Sequence, residues 1–164
     1  MADVILVVGG TGAGKTTYAR SLANEIGALR FSIDDWMTTL FWMDSPQPIE
    51  FEWTLERIGR CEAMILSMVQ QAASRGLASI LDLGFTKREH RGSVRHICAR
   101  HGLSSQIHFV DVDSEVRWAR VEQRNREQGE TFAMPVDRAM FDFMENMWEA
   151  PKEEELSGGK VVCV

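Results

Sequence analysis

Five consecutive apolar residues, Val4-Ile5-Leu6-Val7-Val8, run straight into Gly9-Gly10-Thr11-Gly12-Ala13-Gly14-Lys15-Thr16, and a stretch of helical character follows. An unbroken apolar run of this length reads as a strand buried on both faces, which requires a parallel sheet covered by helices on either side. The glycines open backbone conformations closed to other residues, so the loop can wrap an oligophosphate with several N–H groups pointing inward. A helix starting behind the loop adds its positive N-terminus to the same point. Gly9, Gly10, Thr11, Gly12, Ala13, Gly14, Lys15, Thr16 and Thr17 are therefore candidate nucleotide-binding residues. In this pattern Lys15 reaches the β- and γ-phosphates of ATP, and the Thr16 hydroxyl serves Mg²⁺, a hard cation that takes oxygen ligands.

Apolar runs and helix-period stretches then alternate along the chain. Strands are predicted at Val4–Val8, Leu29–Ile33, Ser79–Leu83, Gln106–Val112 and Lys160–Val164. Helices are predicted at Lys15–Ile26, Glu52–Arg75, Lys87–His101, Ser114–Gln128 and Pro135–Trp148. Gly27, Gly76, Gly102 and Gly129 stand where helices should stop, and Pro135 suits a first helical turn. This alternation defines an α/β fold in three layers around a parallel sheet. At 164 residues the chain is expected to form one domain, 1–164. Cys61, Cys98 and Cys163 are far apart and form no C-x-x-C pair, so they read as buried thiols and not as a disulfide framework or zinc site. The formal net charge of −6 speaks against a broad nucleic-acid-binding face. The start shows no basic leader, and no apolar stretch approaches membrane-spanning length, so the expectation is a cytoplasmic chain with no membrane partner.

Transfer of a phosphoryl group needs phosphates held, charge neutralised and an attacking hydroxyl relieved of its proton. Carboxylates at the carboxyl ends of parallel strands are the residues to seek, because ligands of open sheets sit there. Asp34 and Asp35 follow the second predicted strand. One can act as general base towards an acceptor hydroxyl, with Asp34 the candidate, and one can cap the segment 36–41. Asp82, in Ser79-Ile80-Leu81-Asp82-Leu83-Gly84, ends the third strand and is a candidate for holding Mg²⁺ together with Thr16. Arg117, Arg120 and Arg124 recur at spacings of three and four on one helix face. Such a face is either solvated or closes over the phosphates as a helical lid, expected at 114–134, with Arg120 and Arg124 catalytic and Arg117 at the nucleotide. Arg88 and Arg91 follow Asp82 and are candidates for an anionic acceptor or for the nucleotide phosphates. Between 34 and 53, Trp36, Met37, Phe41, Trp42, Met43, Phe51 and Trp53 crowd around Ser45-Pro46-Gln47-Pro48. That stretch reads as an acceptor cap, with Asp35 and Trp36 as acceptor contacts, or as an aromatic subcore under a loop.

The loop sequence, the Asp34-Asp35 pair, the segment L-D-L-G-F-T-K-R-E-H-R from Leu81 to Arg91, and the R-N-R-E-Q-G and P-V-D-R-A-M-F segments between Arg124 and Phe141 resemble one group of proteins. These are P-loop kinases often labelled AAA-domain predicted kinases, related to zeta toxins, chloramphenicol phosphotransferase and the kinase domain of phage polynucleotide kinase. The resemblance implies a five-stranded parallel sheet, a nucleotide-kinase-like fold, a base at Asp34, a Walker B-like carboxylate at Asp82, and lid arginines at Arg120 and Arg124. Phage polynucleotide kinase carries an arginine shortly after the Asp pair for the nucleic-acid phosphate, and here that position is Met37. The expected acceptor is accordingly a small hydroxyl compound, with a polynucleotide 5′-hydroxyl as the alternative. A regulatory NTPase is the rival class, but the chain has no N-K-x-D signature, and Asp82-Leu83-Gly84 is not D-x-x-G.

Overall fold

The apolar run Val4–Val8 becomes the central strand β1, with every residue buried. Its side chains alternate between two cores, as the two-residue period of a strand requires. Val4, Leu6 and Val8 point into one, and Ile5 and Val7 into the other. The structure, a computed structural model, describes residues 2–129 and 135–163. After β1 come α1 (Lys15–Ile26), β2 (Leu29–Ser32), α2 (Ile33–Leu40), a 3-10 turn at Trp42–Asp44, and α3 (Phe51–Ala73). The chain continues through β3 (Ser79–Asp82), α4 (Arg88–Arg100), β4 (Ser105–Asp111), α5 (Ser114–Glu127), α6 (Arg138–Met147) and β5 (Lys160–Cys163).

The five strands form one sheet in the order β2-β3-β1-β4-β5, and all four pairings are parallel. Residues of α3 and α4, among them Cys61, Ile65, Val69, Val94 and Cys98, complete the core on one face. Ala19 of α1, flanked by the half-buried Tyr18 and Leu22, closes the opposite face. This is the three-layer architecture of P-loop NTPases with a kinase-like arrangement of strands. β5 is an edge strand with three of its four residues exposed. Cys61 and Cys98 are buried as expected, whereas Cys163 on that edge is exposed.

Strand and helix placement follows the sequence pattern closely, with departures at the start of α2, which is not among the predicted helices, and at the start of α6. The second strand stops at Ser32, and Ile33 already begins α2, because the Ser32 hydroxyl caps that helix by accepting from the Asp35 N–H at 3.3 Å. Asp34 and Asp35 therefore sit in the first turn, where carboxylates favour the helix dipole, and neither is the cap. Pro135 precedes α6 instead of opening it, since the Asp137 carboxylate caps the helix by accepting from Met140 N–H. Residues 130–134 of the expected lid, Val164 of the last strand and Met1 lie outside the described residues. No described helix is long and apolar enough to cross a membrane.

Arg91 is the largest fully buried side chain. Its Nε and Nη2 donate to the two Glu155 carboxylate oxygens at 2.8 and 3.1 Å, and Nη1 donates to the Phe85 and Glu149 carbonyls at 3.1 and 2.8 Å. Those hydrogen bonds hold the Glu155 carboxyl below its ordinary range. The depressed value means that this contribution is complete above the unfolded Glu range, near 4.3, and is lost as pH falls through the folded value. Removing one partner of a buried pair strands the other charge. Arg91→Ala is expected to cost about 3–5 kcal/mol at neutral pH, while Arg91→Met combined with Glu155→Leu recovers most of that loss. Urea denaturation of both variants at neutral pH, and of the single variant in acid where its deficit should shrink, checks this.

Candidate functional site

Between β1 and α1 the chain passes through Gly12 (φ +79°) and Gly14 (φ +91°), left-handed conformations that fold the loop back on itself. Gly14 precedes the first turn of α1 without any side-chain cap. The free N–H groups of that turn are thereby left facing the loop's concavity. Close approach requires a further glycine, Gly10, and constrains Gly12 a second time. A β-carbon on Gly10 would collide with the Arg117 guanidinium, and one on Gly12 would lie 2.6 Å from the Arg117 carbonyl.

Lys15 crosses the loop and donates from Nζ to the Gly10 carbonyl at 2.9 Å. Burial pushes its ammonium pKa down, while the negative charges of Asp82 and Asp34 oppose that fall. Thr16 Oγ1 donates to Asp82 Oδ2 at 3.1 Å, joining the start of α1 to the end of β3. Because β3 lies between β1 and β2, Asp82 stands between the loop and Asp34. Asp34 opens onto the cleft and is not packed in the core, yet the surrounding walls desolvate its carboxyl and push its pKa up. The charge of Asp82 pushes the same way, and Lys15 pulls against it.

These residues line a cleft of about 670 Å³. Gly9, Gly10, Thr11, Gly12, Gly14, Lys15, Thr16 and Thr17 form its floor, with Asp34 and Asp82 on one flank. Arg120 and Arg124 reach it from α5. Arg120 Nη1 donates to the Ala13 carbonyl at 3.3 Å. The Arg124 Nε is buried with no hydrogen-bond partner among the described residues, and burial lowers the pKa of its guanidinium, opposed by the charge of Asp34. A loop of inward N–H groups, an ammonium and an uncommitted guanidinium donor suit an oligoanion. The paired Thr16 hydroxyl and Asp82 carboxylate, both hard oxygen donors, suit Mg²⁺.

Other residues singled out in the sequence lie elsewhere. Arg117 runs beneath the loop, buried, donating to the Val112 carbonyl at 2.9 Å, to the Thr11 carbonyl at 3.2 Å and to both Glu145 oxygens at 2.6 and 2.7 Å. It supports the loop and does not line the cleft. Asp35 pairs with Arg30 at 2.9 Å. Trp36 packs against the core and does not face the cleft, and of the segment 34–53 only Asp34 lines it among the described residues. Arg88 pairs with Glu154, and Arg91 is the buried partner of Glu155.

Two groups went unforeseen. Arg30 bridges Asp35 to Asp82, with Nη2 at 3.4 Å from Asp82 Oδ2. Its signal was a charge inside the strand Leu-Arg-Phe-Ser, where burial demands a partner. Phe143, Met144, Met147 and Trp148 form an apolar wall of the cleft. Their signal was a helix with apolar residues at 140, 141, 143, 144 and 147, more than one buried stripe can accommodate.

The strand order and the phosphate loop give the chain the fold of kinase-like P-loop NTPases. The chain belongs to the AAA domain family, whose family model matches residues 4–151. An unliganded sugar kinase from a Janibacter species superposes with a TM-score of 0.68 at 20% identity, covering 99% of this chain and 86% of that one. A gluconokinase from Sinorhizobium meliloti gives 0.66 at 18% identity, covering 99% and 82%. Chaetomium thermophilum Kti12 in complex with ADP-AlF3 gives 0.70 at 18% identity, covering 98% and 88%. At these identities the likeness establishes the fold. No curated protein matches the sequence.

The contact between Gly10 and Arg117 generates a measurable coupling. Gly10→Ala is expected to destabilise by about 1–3 kcal/mol through overpacking. In the background of Arg117→Ala the same substitution should cost much less, since the colliding group is gone, so that the two effects are not additive. A double-mutant cycle by urea denaturation reads the difference; additive costs would show that loop and guanidinium are not in contact.

Proposed function

We propose that the protein is a phosphotransferase that moves the γ-phosphoryl group of ATP to a hydroxyl of a small molecule. The observation that carries the reading is the convergence of Lys15, the Thr16–Asp82 pair and the Asp34 carboxyl on one cleft. The loop N–H groups and Lys15 bind the β- and γ-phosphates. Thr16 and Asp82 hold Mg²⁺, which when bound neutralises charge on the phosphate oxygens. Arg120 and Arg124, from the lid helix α5, face the transferring group and help exclude water. The acceptor oxygen bonds to the γ-phosphorus as the bond from that phosphorus to the β–γ bridging oxygen breaks. ADP departs with those electrons, and the hydroxyl proton passes to Asp34.

Membership of the AAA domain family and the likeness to a sugar kinase and a gluconokinase support this reading. So does the likeness to Kti12, a protein solved with ADP-AlF3. An intact Lys15, Thr16, Asp34 and Asp82 favour a catalytic chain over a nucleotide-binding adaptor.

Asp34→Asn tests the base. It should keep the affinity for a fluorescent ATP analogue within about twofold and lose about 10²–10⁴ in transfer, the usual worth of a positioned base. In the natural chain the acidic limb of the transfer rate should lie above the ordinary Asp range near 3.9, because desolvation raises the Asp34 pKa. Acceptor-stimulated ADP release, followed against pH in both chains, gives the two readouts. Unchanged transfer in the Asn variant would remove Asp34 from this role.

A further inference from the structure

Within the phosphotransferase reading, on which this inference rests, we propose that Met144, Met147 and Trp148 form the acceptor subsite and that the acceptor is uncharged, with a flat apolar or aromatic face beside its hydroxyl. The position of the wall carries the first part. Thr11 Oγ1 donates to the Met144 sulfur at 3.6 Å, which fixes one end of the wall over the phosphate loop. At the other end, the N–H of Glu149 donates to the Thr86 carbonyl at 3.0 Å, so Trp148 stands beside the segment that leaves β3 just beyond Asp82. The wall therefore runs from the loop to the segment beyond β3, and it lines the same cleft as Asp34 in the first turn of α2. With donor phosphates in the loop, the rest of the cleft that Asp34 lines is bordered by thioether and indole.

Charge carries the second part. The sequence offers Arg88 and Arg91 just past Asp82 as partners for an anionic acceptor, and Lys87 is the cation next to them. The structure neutralises all three with the acidic segment that follows the wall. Lys87 Nζ lies 3.1 Å from Glu149 Oε1, Arg88 pairs with Glu154, and Arg91 is enclosed with Glu155. An anionic acceptor would give up its hydration on this flank without gaining a free cation, whereas an apolar face would cover side chains now open to water. Met147 and Phe143 are 43% and 65% exposed, large for residues of their kind on a cleft wall.

An isosteric pair of probes tests the inference: para-(hydroxymethyl)benzamide, neutral, and para-(hydroxymethyl)benzoate, anionic. With the full chain saturated with ADP and Mg²⁺, binding of each is measured by saturation-transfer NMR titration, beside a titration with the fluorescent ATP analogue. The amide should bind at least about tenfold more tightly than the benzoate. Met147→Lys should erase or reverse that preference, and Met147→Leu should keep it; the partial exposure of Met147 lets both variants fold, which a thermal melt confirms. The inference is overturned if the benzoate binds as tightly as the amide. It falls equally if neither probe binds while the ATP analogue does, or if Met147→Lys leaves the ratio unchanged. A chain that fails to bind the ATP analogue overturns the phosphotransferase reading itself, which separates the two failures.

Discussion

Arg117 leaves α5 and passes under the phosphate loop, where its guanidinium meets the Thr11 and Val112 carbonyls and a bidentate carboxylate from Glu145 of α6. A buried guanidinium is tolerated only when its donors are spent, and here they are spent on three separate parts of the chain. The loop, the α5 face that bears Arg120 and Arg124, and the helix that supplies the apolar wall are thus tied to one point. Gly10 and Gly12 are glycines partly for this reason: the guanidinium and the backbone of Arg117 occupy the space a β-carbon would need. The pattern that looks like a phosphate cradle is also a packing surface.

A second constraint comes from the segregation of charge along the chain. The cations that open α4 and the carboxylates of residues 149–155 lie more than fifty residues apart in sequence and pair in the fold, around the buried Arg91–Glu155 bridge. Their pairing returns the chain from α6 across the end of β3 and sets Trp148 against Phe109 and the cleft. Positive potential in the cleft is consequently concentrated at the loop, at Lys15 and at the α5 arginines. The rest of the cleft is lined by apolar side chains, two carboxylates, Thr86 and Lys87, whose charge is met by Glu149.

Much of the architecture was legible because it follows from local periodicity. An unbroken apolar β1, glycines beyond helix ends and helix-period stretches between strands specify a doubly covered parallel sheet with little help from distant contacts. Departures occur where one hydrogen bond decides a boundary, as when Ser32 in place of an aspartate caps α2 and shortens the second strand. The aromatic segment after Asp35 shows the limit of composition as a guide. It places Trp36 and Phe41 on the core and Met43 and Phe51 in solvent, and only Asp34 reaches the cleft.

Sequence alone determined the phosphate loop, the order of the strands and of every helix but α2, and the carboxylate that ends β3, because each depends on neighbours within a few residues or on the rule that parallel strands gather their carboxyl ends on one edge. Which arginines face the cleft was decided only by tertiary structure. Arg117, Arg120 and Arg124 share a helix face, yet one is claimed by Glu145 under the loop while the others reach the cleft. Arg91 and Arg124 are both arginines near a carboxylate-bearing strand end, and one is sealed in the core by a glutamate sixty-four residues away. The physical reason is that a long charged side chain takes its role from the partner that burial forces upon it, and that partner is chosen by the fold.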